Sequence, residues 1–282
     1  MSRMISLNGK LRQAEEPSLG SSNRSFRYGD GLFETIRVNN GHVLWSERHF
    51  YRLKKGAELL RLELPETFSH DFFVAQIHRV YRHNHPEGGH ARVRFAIYRT
   101  EGGFYVPEEN AASFLIETTK LSSSLYPLNR KGILVDFFEE YYKPCHALSN
   151  IKSSSALIYV MAGLYRKERK LDDCLLINDE RLLAEAISSN VFLVNGNQLI
   201  TPSLDQACVE GVMRSVVIEL APSLGFKIEE RPVEPDELLH ADEVFLTNTI
   251  SGIIWVLGFR KKRYFNKAAK ALSDALNKRI GK

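Results

Sequence analysis

The chain has 282 residues, of which 44% are hydrophobic, so it is long enough for one large or two modest domains with packed cores. The 38 basic and 34 acidic residues give a formal net charge of +4, a nearly balanced surface that offers no reason to expect a nucleic-acid partner. Three widely spaced cysteines without a C-x-x-C pair argue against a disulfide framework and a zinc site. The sequence has no apolar signal core and no apolar run of membrane-spanning length, so we expect a cytoplasmic protein without a membrane partner.

Two clusters of like residues indicate exposed surface and not a ligand site. His83, His85 and His90 lie in one loop that contains Pro and Gly, but no carboxylate pattern on a regular element accompanies them, so we expect no bound metal. The basic run 260–263 precedes residues 266–279, in which apolar residues share one helical face. This second cluster therefore predicts a solvated terminal helix and no binding arm.

A hairpin and a helix are predicted near the N-terminus. Segments 32–38 and 42–45 alternate as strands, and the intervening Asn-Asn-Gly at 39–41 tolerates positive φ, so the pair predicts a β-hairpin. Ser46 is the expected N-cap of the next helix. Apolar residues recur at helical spacing along that helix, which places Arg52 beside the buried stripe and not opposite it.

A change in composition divides the chain into two predicted domains. Residues 92–99 alternate as a strand and residues 113–119 form another, after which the chain becomes rich in Ser and Leu. We therefore predict an N-terminal α/β domain over residues 1–120, a linker over 121–129 and a C-terminal domain over 130–282.

The second domain is predicted to contain strands on both sides of an amphipathic helix. Residues 132–138 form an apolar run long enough for a buried strand, and an irregular segment then leads to Lys152 at the approach to a helix over 156–170. The apolar stripe expected on that helix comprises Leu157, Val160, Met161, Leu164 and Tyr165. Further strands are predicted at 173–178, 182–188, 191–194, 198–201 and 243–249. Alternating strand and helix patterns indicate an α/β (α+β) fold.

Five short segments carry the chemistry. Lys152 is a possible Schiff-base amine and Glu185 is a carboxylate that follows it, a pair that suits pyridoxal phosphate chemistry. Gly211 opens a helix whose first amides would bind an anion, and Thr249 ends a strand with a hydroxyl group. Near the N-terminus, residues 28–37 read Tyr-Gly-Asp-Gly-Leu-Phe-Glu-Thr-Ile-Arg. Each feature alone is ordinary in a globular protein, so the prediction depends on all five occurring in one order.

This order resembles the class IV aminotransferase family, the fold-type IV pyridoxal phosphate enzymes, over roughly residues 24 to 258. The family includes branched-chain and D-amino acid transaminases and 4-amino-4-deoxychorismate lyase. The resemblance implies an enzyme with a two-domain fold-type IV structure and with pyridoxal 5′-phosphate at the domain interface. It also implies a small-molecule amino substrate and a homodimer in which the partner contributes a loop to the active site.

The resemblance assigns the cofactor contacts residue by residue. Lys152 matches the family lysine that holds the cofactor covalently and moves the substrate proton, and Glu185 matches the carboxylate that pairs with the pyridine nitrogen. Arg52 matches the arginine that contacts the phosphate. The other implied cofactor-binding residues are Gly211, Val212 and Met213 at the helix start, and Asn248 and Thr249 after the strand.

Departures from the family pattern bear on the substrate. Many members have a tyrosine five residues after the lysine, where this chain has Leu157, so another residue must contact the phenolic oxygen of the cofactor. Transaminases of the branched-chain type have Gly where this chain has Thr35, whose side chain is expected to narrow the pocket. Phe-Glu-Thr is frequent among aminodeoxychorismate lyases, but Phe104 replaces an arginine of a further lyase motif.

Two activities remain open. The favoured one is 4-amino-4-deoxychorismate lyase, which eliminates pyruvate to give p-aminobenzoate, because the chain is short and carries Thr35. The alternative is a transaminase of branched-chain or D-amino acids. The expected substrate pocket contains Tyr28, Phe33, Thr35, Arg92 and Arg94. A cofactor-binding relic without activity is disfavoured because Lys152 and Glu185 are both present.

Overall fold

In the computed structural model, which describes residues 3–16 and 18–281, the chain divides into two units. Unit 1 comprises the described residues up to Ser124 together with Ile151–Ala156. Unit 2 comprises Leu125–Asn150 and the described residues from Leu157 onward. The outer ends of the two predicted domains, residues 1 and 282, lie outside the described ranges. Each unit has its own sheet and its own core.

Unit 1 is built on an antiparallel sheet with the strand order β2-β1-β6-β5-β3-β4. Its elements are β1 (Met4–Leu7), β2 (Lys10–Gln13), α1 (Arg24–Tyr28), β3 (Gly31–Asn39), β4 (His42–Val43), α2 (Ser46–Leu59), α3 (His70–Asn84), β5 (His90–Arg99) and β6 (Ala112–Leu121). Cross-strand pairs such as Leu32 with Ile97 and Ile36 with Val93 are buried in the core that the sheet forms with α2 and α3. Alternate residues of β3 and β5 therefore face away from this core.

The predicted hairpin is confirmed, and the predicted helix cap is wrong. Strands β3 and β4 pair through Val38 and Val43, and the turn has positive φ at Asn40 (46°) and Gly41 (87°), as a two-residue hairpin turn requires. Helix α2 begins at Ser46, but its N-cap is Trp45 in a left-handed conformation with no side-chain cap bond. The Ser46 hydroxyl is instead hydrogen-bonded at 3.0 Å to the ring of a histidine on α3.

Unit 2 is built on a mixed sheet with the strand order β12-β11-β10-β13-β14-β7-β8-β9, with β15 paired to β14. Its elements are β7 (Ile133–Lys143), α4 (Leu157–Glu168), β8 (Asp173–Asn178), β9 (Leu183–Ala186), β10 (Asn190–Asn195), β11 (Gln198–Pro202), α5 (Val212–Leu220), β12 (Lys227–Arg231), α6 (Glu237–His240), β13 (Glu243–Asn248), β14 (Gly252–Phe259), β15 (Lys262–Arg263) and α7 (Lys267–Ile280). The parallel pairs are β11 with β12, β14 with β7, and β7 with β8.

The predicted terminal helix is confirmed as α7, and it packs on the middle of the sheet. Phe192 and Phe245 are cross-strand partners on β10 and β13, and their rings stack with centroids 5.1 Å apart. Ala269 and Leu272 of α7 are buried in the same cluster. The small and branched side chains on one face of α7 let this helix cover the central strands closely.

Helix α4 forms where the sequence predicts it, but only Met161 and Tyr165 of the predicted apolar stripe pack against the core. Leu157, Val160 and Leu164 are 72%, 54% and 51% exposed. The face toward the strands is rotated, and Ala162 is buried there against Phe138 of β7. Because α4 carries apolar residues on most of its circumference, periodicity alone could not choose between the two faces.

The segment that carries Lys152 groups with unit 1, whereas the sequence boundaries put it in the C-terminal domain. The reason is backbone pairing with β3. The Phe33 N–H donates to the Lys152 carbonyl at 3.0 Å, and the Ser154 N–H donates to the Gly31 carbonyl at 2.8 Å. A pairing between segments more than 100 residues apart leaves no local pattern in the sequence.

The described part of the chain contains neither a membrane-spanning helix nor a cluster of metal-ligating side chains. None of its helices is long and apolar enough to cross a membrane. Within the same residues, no group of three or more His, Cys, Asp or Glu side chains could hold a metal ion. The three cysteines are unpaired, and Cys174 and Cys208 are buried.

Candidate active site

The first candidate group in unit 1 surrounds the ring of Phe33. The Lys152 Nζ lies 4.5 Å from the centroid of this ring, and the guanidinium carbon of Arg94 lies 3.7 Å from it. Both distances are within the range of cation–π attraction. The ring therefore holds the candidate reactive amine and a permanent cation close to each other.

Four of the five predicted pocket residues share one face of the sheet. Thr35 of β3 is the cross-strand partner of Arg94 of β5, and Phe33 and Arg92 occupy positions two residues away on the same face. Tyr28 lies elsewhere, at the end of α1, with its ring 5.4 Å from that of Tyr105.

The electrostatics of this face are positive. Burial lowers the pKa of Arg94, Glu117 at 4.0 Å acts to raise it, and the neighbouring charge of Arg92 lowers it further. Arginine stays protonated in spite of such shifts. The face therefore carries two half-buried guanidinium groups and one carboxylate, Glu117, which is at the distance limit of an ion pair with Arg94. A face of this kind favours an anionic ligand.

Behind this face, on the core side of β3, Arg52 forms a buried cluster with Glu34 and His49. The Arg52 Nε donates to Glu34 Oε1 at 2.8 Å, a second guanidinium nitrogen donates to Oε2 at 2.5 Å, and His49 Nδ1 lies 2.6 Å from Oε2. Burial acts to raise the pKa of Glu34, but the Arg52 charge and the His49 hydrogen bond outweigh it and hold that pKa at about 2.

The cluster fixes the direction of the Arg52 guanidinium. Burial lowers the pKa of His49 although Glu34 opposes the change, so the ring is neutral near pH 7 and its Nδ1 must carry the proton given to Glu34. Sequence reasoning missed Glu34 and His49. Glu34 lay inside the block at 28–37, and His49 precedes Arg52 by one helical turn, so both signals were present.

In unit 2, the Glu185 carboxylate of β9 is buried and surrounded by donors. It accepts from the Tyr159 hydroxyl at 2.7 Å and from the Val209 N–H at 3.0 Å, and it forms an ion pair with Lys143. Burial and the neighbouring carboxylate raise the pKa of Tyr159, so its hydroxyl stays a donor. Sequence reasoning missed Lys143 and Tyr159. Tyr159 lies two residues after Leu157, which is exposed in α4.

The start of α5 lies next to this carboxylate. Gly211 is the N-cap, and a Cβ there would collide with the side-chain oxygen of Asn190, so the close approach requires glycine. Asn190 also donates to the Val209 carbonyl at 2.8 Å, which ties this loop to β10. The N–H groups of Val212 and Met213 have no acceptor within the helix and, with the helix dipole, favour a bound anion.

The end of β13 reaches the same end of the sheet, because Asn190 pairs with Thr247. The Asn248 side chain shapes the turn that follows: its oxygen accepts from two backbone amides, at 3.0 and 2.8 Å, and its nitrogen donates to Ser189 at 3.0 Å. Thr249 is buried, and its carbonyl accepts from the Tyr126 hydroxyl at 3.1 Å.

Tyr126 in turn links this turn to the last helix. Its ring is fully buried although it lies in the predicted linker. Its backbone N–H donates to Asn277 of α7 at 2.8 Å, and Asn277 donates back to the Tyr126 carbonyl at 3.0 Å. The position of Thr249 thus depends on contacts with α7.

Each unit, taken by itself, contains groups whose chemistry suits a part of pyridoxal phosphate. Unit 1 contains an amine, Lys152, beside an aromatic ring. Unit 2 contains Glu185, a buried acceptor for a ring N–H, and a helix start at Gly211 with amides that suit a phosphate. The order of these groups along the chain is the one that the sequence resemblance implies.

Comparisons with known proteins identify the family. The family model for amino-transferase class IV matches residues 31–258. The aminodeoxychorismate lyase of Bacillus subtilis (strain 168) is 26% identical over 276 residues, which cover 96% of this chain and 91% of the relative. The D-alanine aminotransferase of Bacillus licheniformis is 27% identical over 256 residues, covering 89% and 86%. A crystal structure of the branched-chain aminotransferase from Thermoproteus uzoniensis with norvaline shares the fold, with a TM-score of 0.90, 22% identity and coverage of 99% of this chain and 95% of that one. Since the family model spans most of the sequence, the chain belongs to the class IV aminotransferases, a family of pyridoxal phosphate enzymes.

Proposed function

We propose that this protein is a pyridoxal 5′-phosphate-dependent 4-amino-4-deoxychorismate lyase. The observation that carries the proposal is the cationic face of β3 and β5, where Phe33, Thr35, Arg92 and Arg94 lie together and Lys152 contacts the Phe33 ring. The substrate of such a lyase carries one carboxylate on its ring and a second on its enolpyruvyl ether, and two neighbouring guanidinium groups suit two anionic groups. A branched aliphatic side chain would gain nothing from these charges.

In this proposal each group has a defined task. Lys152 holds the cofactor covalently, and Arg52, the amides at the start of α5 and the Thr249 hydroxyl bind its phosphate. When bound, the cofactor supplies an electron sink that stabilises the carbanion left by proton loss. Glu185 accepts the N–H of the pyridine ring and so supports that sink.

The reaction balances without a second substrate. Lys152 removes the proton from the ring carbon that bears the substrate amine, and the C–O bond of the enolpyruvyl ether breaks. A proton delivered to the three-carbon fragment gives pyruvate, while the ring becomes aromatic p-aminobenzoate. A lysine that both takes and returns a proton is sufficient for this sequence.

The second candidate is a transaminase of branched-chain or D-amino acids. It is favoured by the relatives, because the D-alanine aminotransferase resembles this chain as closely as the lyase does, at 27% and 26% identity. In a transaminase the arginines of β5 would bind a carboxylate of the keto acid that accepts the amino group. The two reactions differ in whether the cofactor must give up its aldehyde form.

We expect the purified holoenzyme to form p-aminobenzoate from 4-amino-4-deoxychorismate over many turnovers, measured by the fluorescence of the product. In the same preparation, single amino acids without a keto acid should leave the visible absorbance of the cofactor almost unchanged, because a lyase regenerates its starting form. Rapid stoichiometric loss of that absorbance with leucine, glutamate or D-alanine, and no p-aminobenzoate, would instead assign the chain to the transaminases.

We also propose that the protein is a homodimer. The exposed side chains of Leu157, Val160 and Leu164 form an apolar strip along α4, and contiguous exposed apolar surface marks interaction sites. Light scattering should therefore give about twice the 32.2 kDa mass of one chain. Val160→Glu should shift the mass toward one chain, and a monomeric wild-type protein at micromolar concentration would contradict the proposal.

A further inference from the structure

A buried lysine that the proposed function does not use lies beside Glu185. Lys143 is the last residue of β7 and is 4% exposed. Its ammonium forms an ion pair with Glu185 Oε1 and donates to the Ser149 carbonyl at 3.0 Å. Lysine is almost never buried without a partner, and here the partner is the carboxylate proposed to meet the cofactor.

The carboxylate of Glu185 has one acceptor position left. A carboxylate offers about four lone-pair positions. On Oε1, one position is taken by the Lys143 ammonium and one by the Tyr159 hydroxyl. On Oε2, the Val209 N–H takes one. The remaining position on Oε2 can accept one N–H from a bound ring.

We propose that Lys143 is a positioning residue that acts through Glu185: it offsets the carboxylate charge, so that Glu185 holds a proton on the pyridine nitrogen less tightly than an unpaired carboxylate would. The inference rests on the proposed role of Glu185. A cation in contact with one oxygen reduces the negative potential at the other, and the burial of both side chains weakens screening by solvent. Lys143 thereby tunes the strength of the electron sink without touching the cofactor.

The neutral neighbours of the pair keep their protons through the accessible pH range. Burial raises the pKa of Tyr159, and Glu185 adds to the effect. Burial and then the charge of Glu185 raise the pKa of the Cys208 thiol to about 12. Neither group therefore changes the charge around Glu185 during a titration near neutrality.

The charged neighbours are held by other partners. Arg214 of α5 pairs with Glu230 at 2.7 Å. Asp179, after β8, accepts from a backbone amide at 3.0 Å and is exposed. His146 lies 3.3 Å from the Ser149 hydroxyl, so the experiment is repeated in a His146→Asn background, which removes this ionisable neighbour.

The test measures the protonation of the ring directly. Holoenzyme is prepared with pyridoxal phosphate labelled with nitrogen-15 in the ring, and the chemical shift of that nitrogen is followed against pH. Lys143→Gln keeps a donor for Glu185 but removes the charge, so the titration midpoint should rise by about one pH unit or more. Lys143→Arg keeps the charge and should titrate like the wild type. Glu185→Gln should lower the midpoint.

The outcomes distinguish a failure of the inference about Lys143 from a failure of the proposed role of Glu185. If Glu185→Gln lowers the midpoint while Lys143→Gln leaves it unchanged or lowers it, Lys143 is a purely structural residue and the inference is wrong. If Glu185→Gln has no effect on the ring nitrogen, the proposed role of Glu185 fails and the inference fails with it. Should Lys143→Gln not fold, Lys143→Met keeps most of the buried stem and removes the charge. The midpoint should rise for that variant too, and an unchanged midpoint would overturn the inference.

Discussion

Lys152→Ala is expected to remove the visible absorbance that pyridoxal phosphate gives when it is attached to the protein, and to lower turnover about 10²- to 10⁴-fold or more. In the proposed function, this variant lacks both the amine that attaches the cofactor and the group that moves the substrate proton. The proposed phosphate contacts of Arg52 and of the α5 amides remain, so we expect the cofactor still to bind without a covalent bond. Absorbance spectra and p-aminobenzoate formation check both expectations.

Two controls accompany this variant. Lys54→Ala replaces an exposed lysine on α2 of the same unit and should leave colour and turnover unchanged. Adding methylamine to Lys152→Ala supplies a small free amine and should restore part of the rate. A variant that retains covalently attached cofactor after denaturation would show that another lysine carries it.

Glu34→Gln is expected to destabilise the protein by roughly 3 to 5 kcal/mol, because it removes the carboxylate that pairs with the buried Arg52 guanidinium. Both side chains are nearly inaccessible, at 1% and 9% exposure, so water cannot replace the lost partner. Urea unfolding of the protein without cofactor measures the loss. Glu58→Gln, at an exposed position on α2, is the matched control and should change stability little.

The same variant predicts a specific dependence on pH. The pKa of Glu34 is about 2 in the folded protein and ordinarily 4.5, so its contribution of about 3 kcal/mol is complete above pH 4.5 and is lost as the pH falls toward 2. The gap in stability between wild type and Glu34→Gln should therefore close over that range. A stability gap that stays constant down to the lowest accessible pH would show that the pairing with Arg52 does not lower the pKa of Glu34.

Local patterns in the sequence were sufficient for many elements and insufficient for their orientation. The strand predicted at 173–178 and the hairpin at 39–41 form as expected, because alternation and turn chemistry act over a few residues. Helix α4 also forms as expected, yet it buries only part of the predicted face. Which face is buried depends on strands β7 and β8, whose position the helix sequence does not encode.

For the candidate site, too, the sequence indicated residues that lie in local motifs but not the partners that the fold brings to them. The resemblance was tied to single motifs, and it therefore indicated residues such as Lys152, Glu185 and Arg52. It gave no indication of the partners that hold them. Lys143 and Glu185 are 42 residues apart and meet because β7 and β8 run parallel while β9 returns beside β8. Such a pair becomes visible only when the sheet order is known.

The contacts of Tyr126 with Asn277 and Thr249 affect how the chain can be engineered. A fusion partner or truncation that disturbs α7 would loosen a turn carrying a proposed phosphate contact, although α7 itself contributes none of the proposed cofactor contacts. Variation near the C-terminus can therefore alter cofactor retention at a distance along the chain.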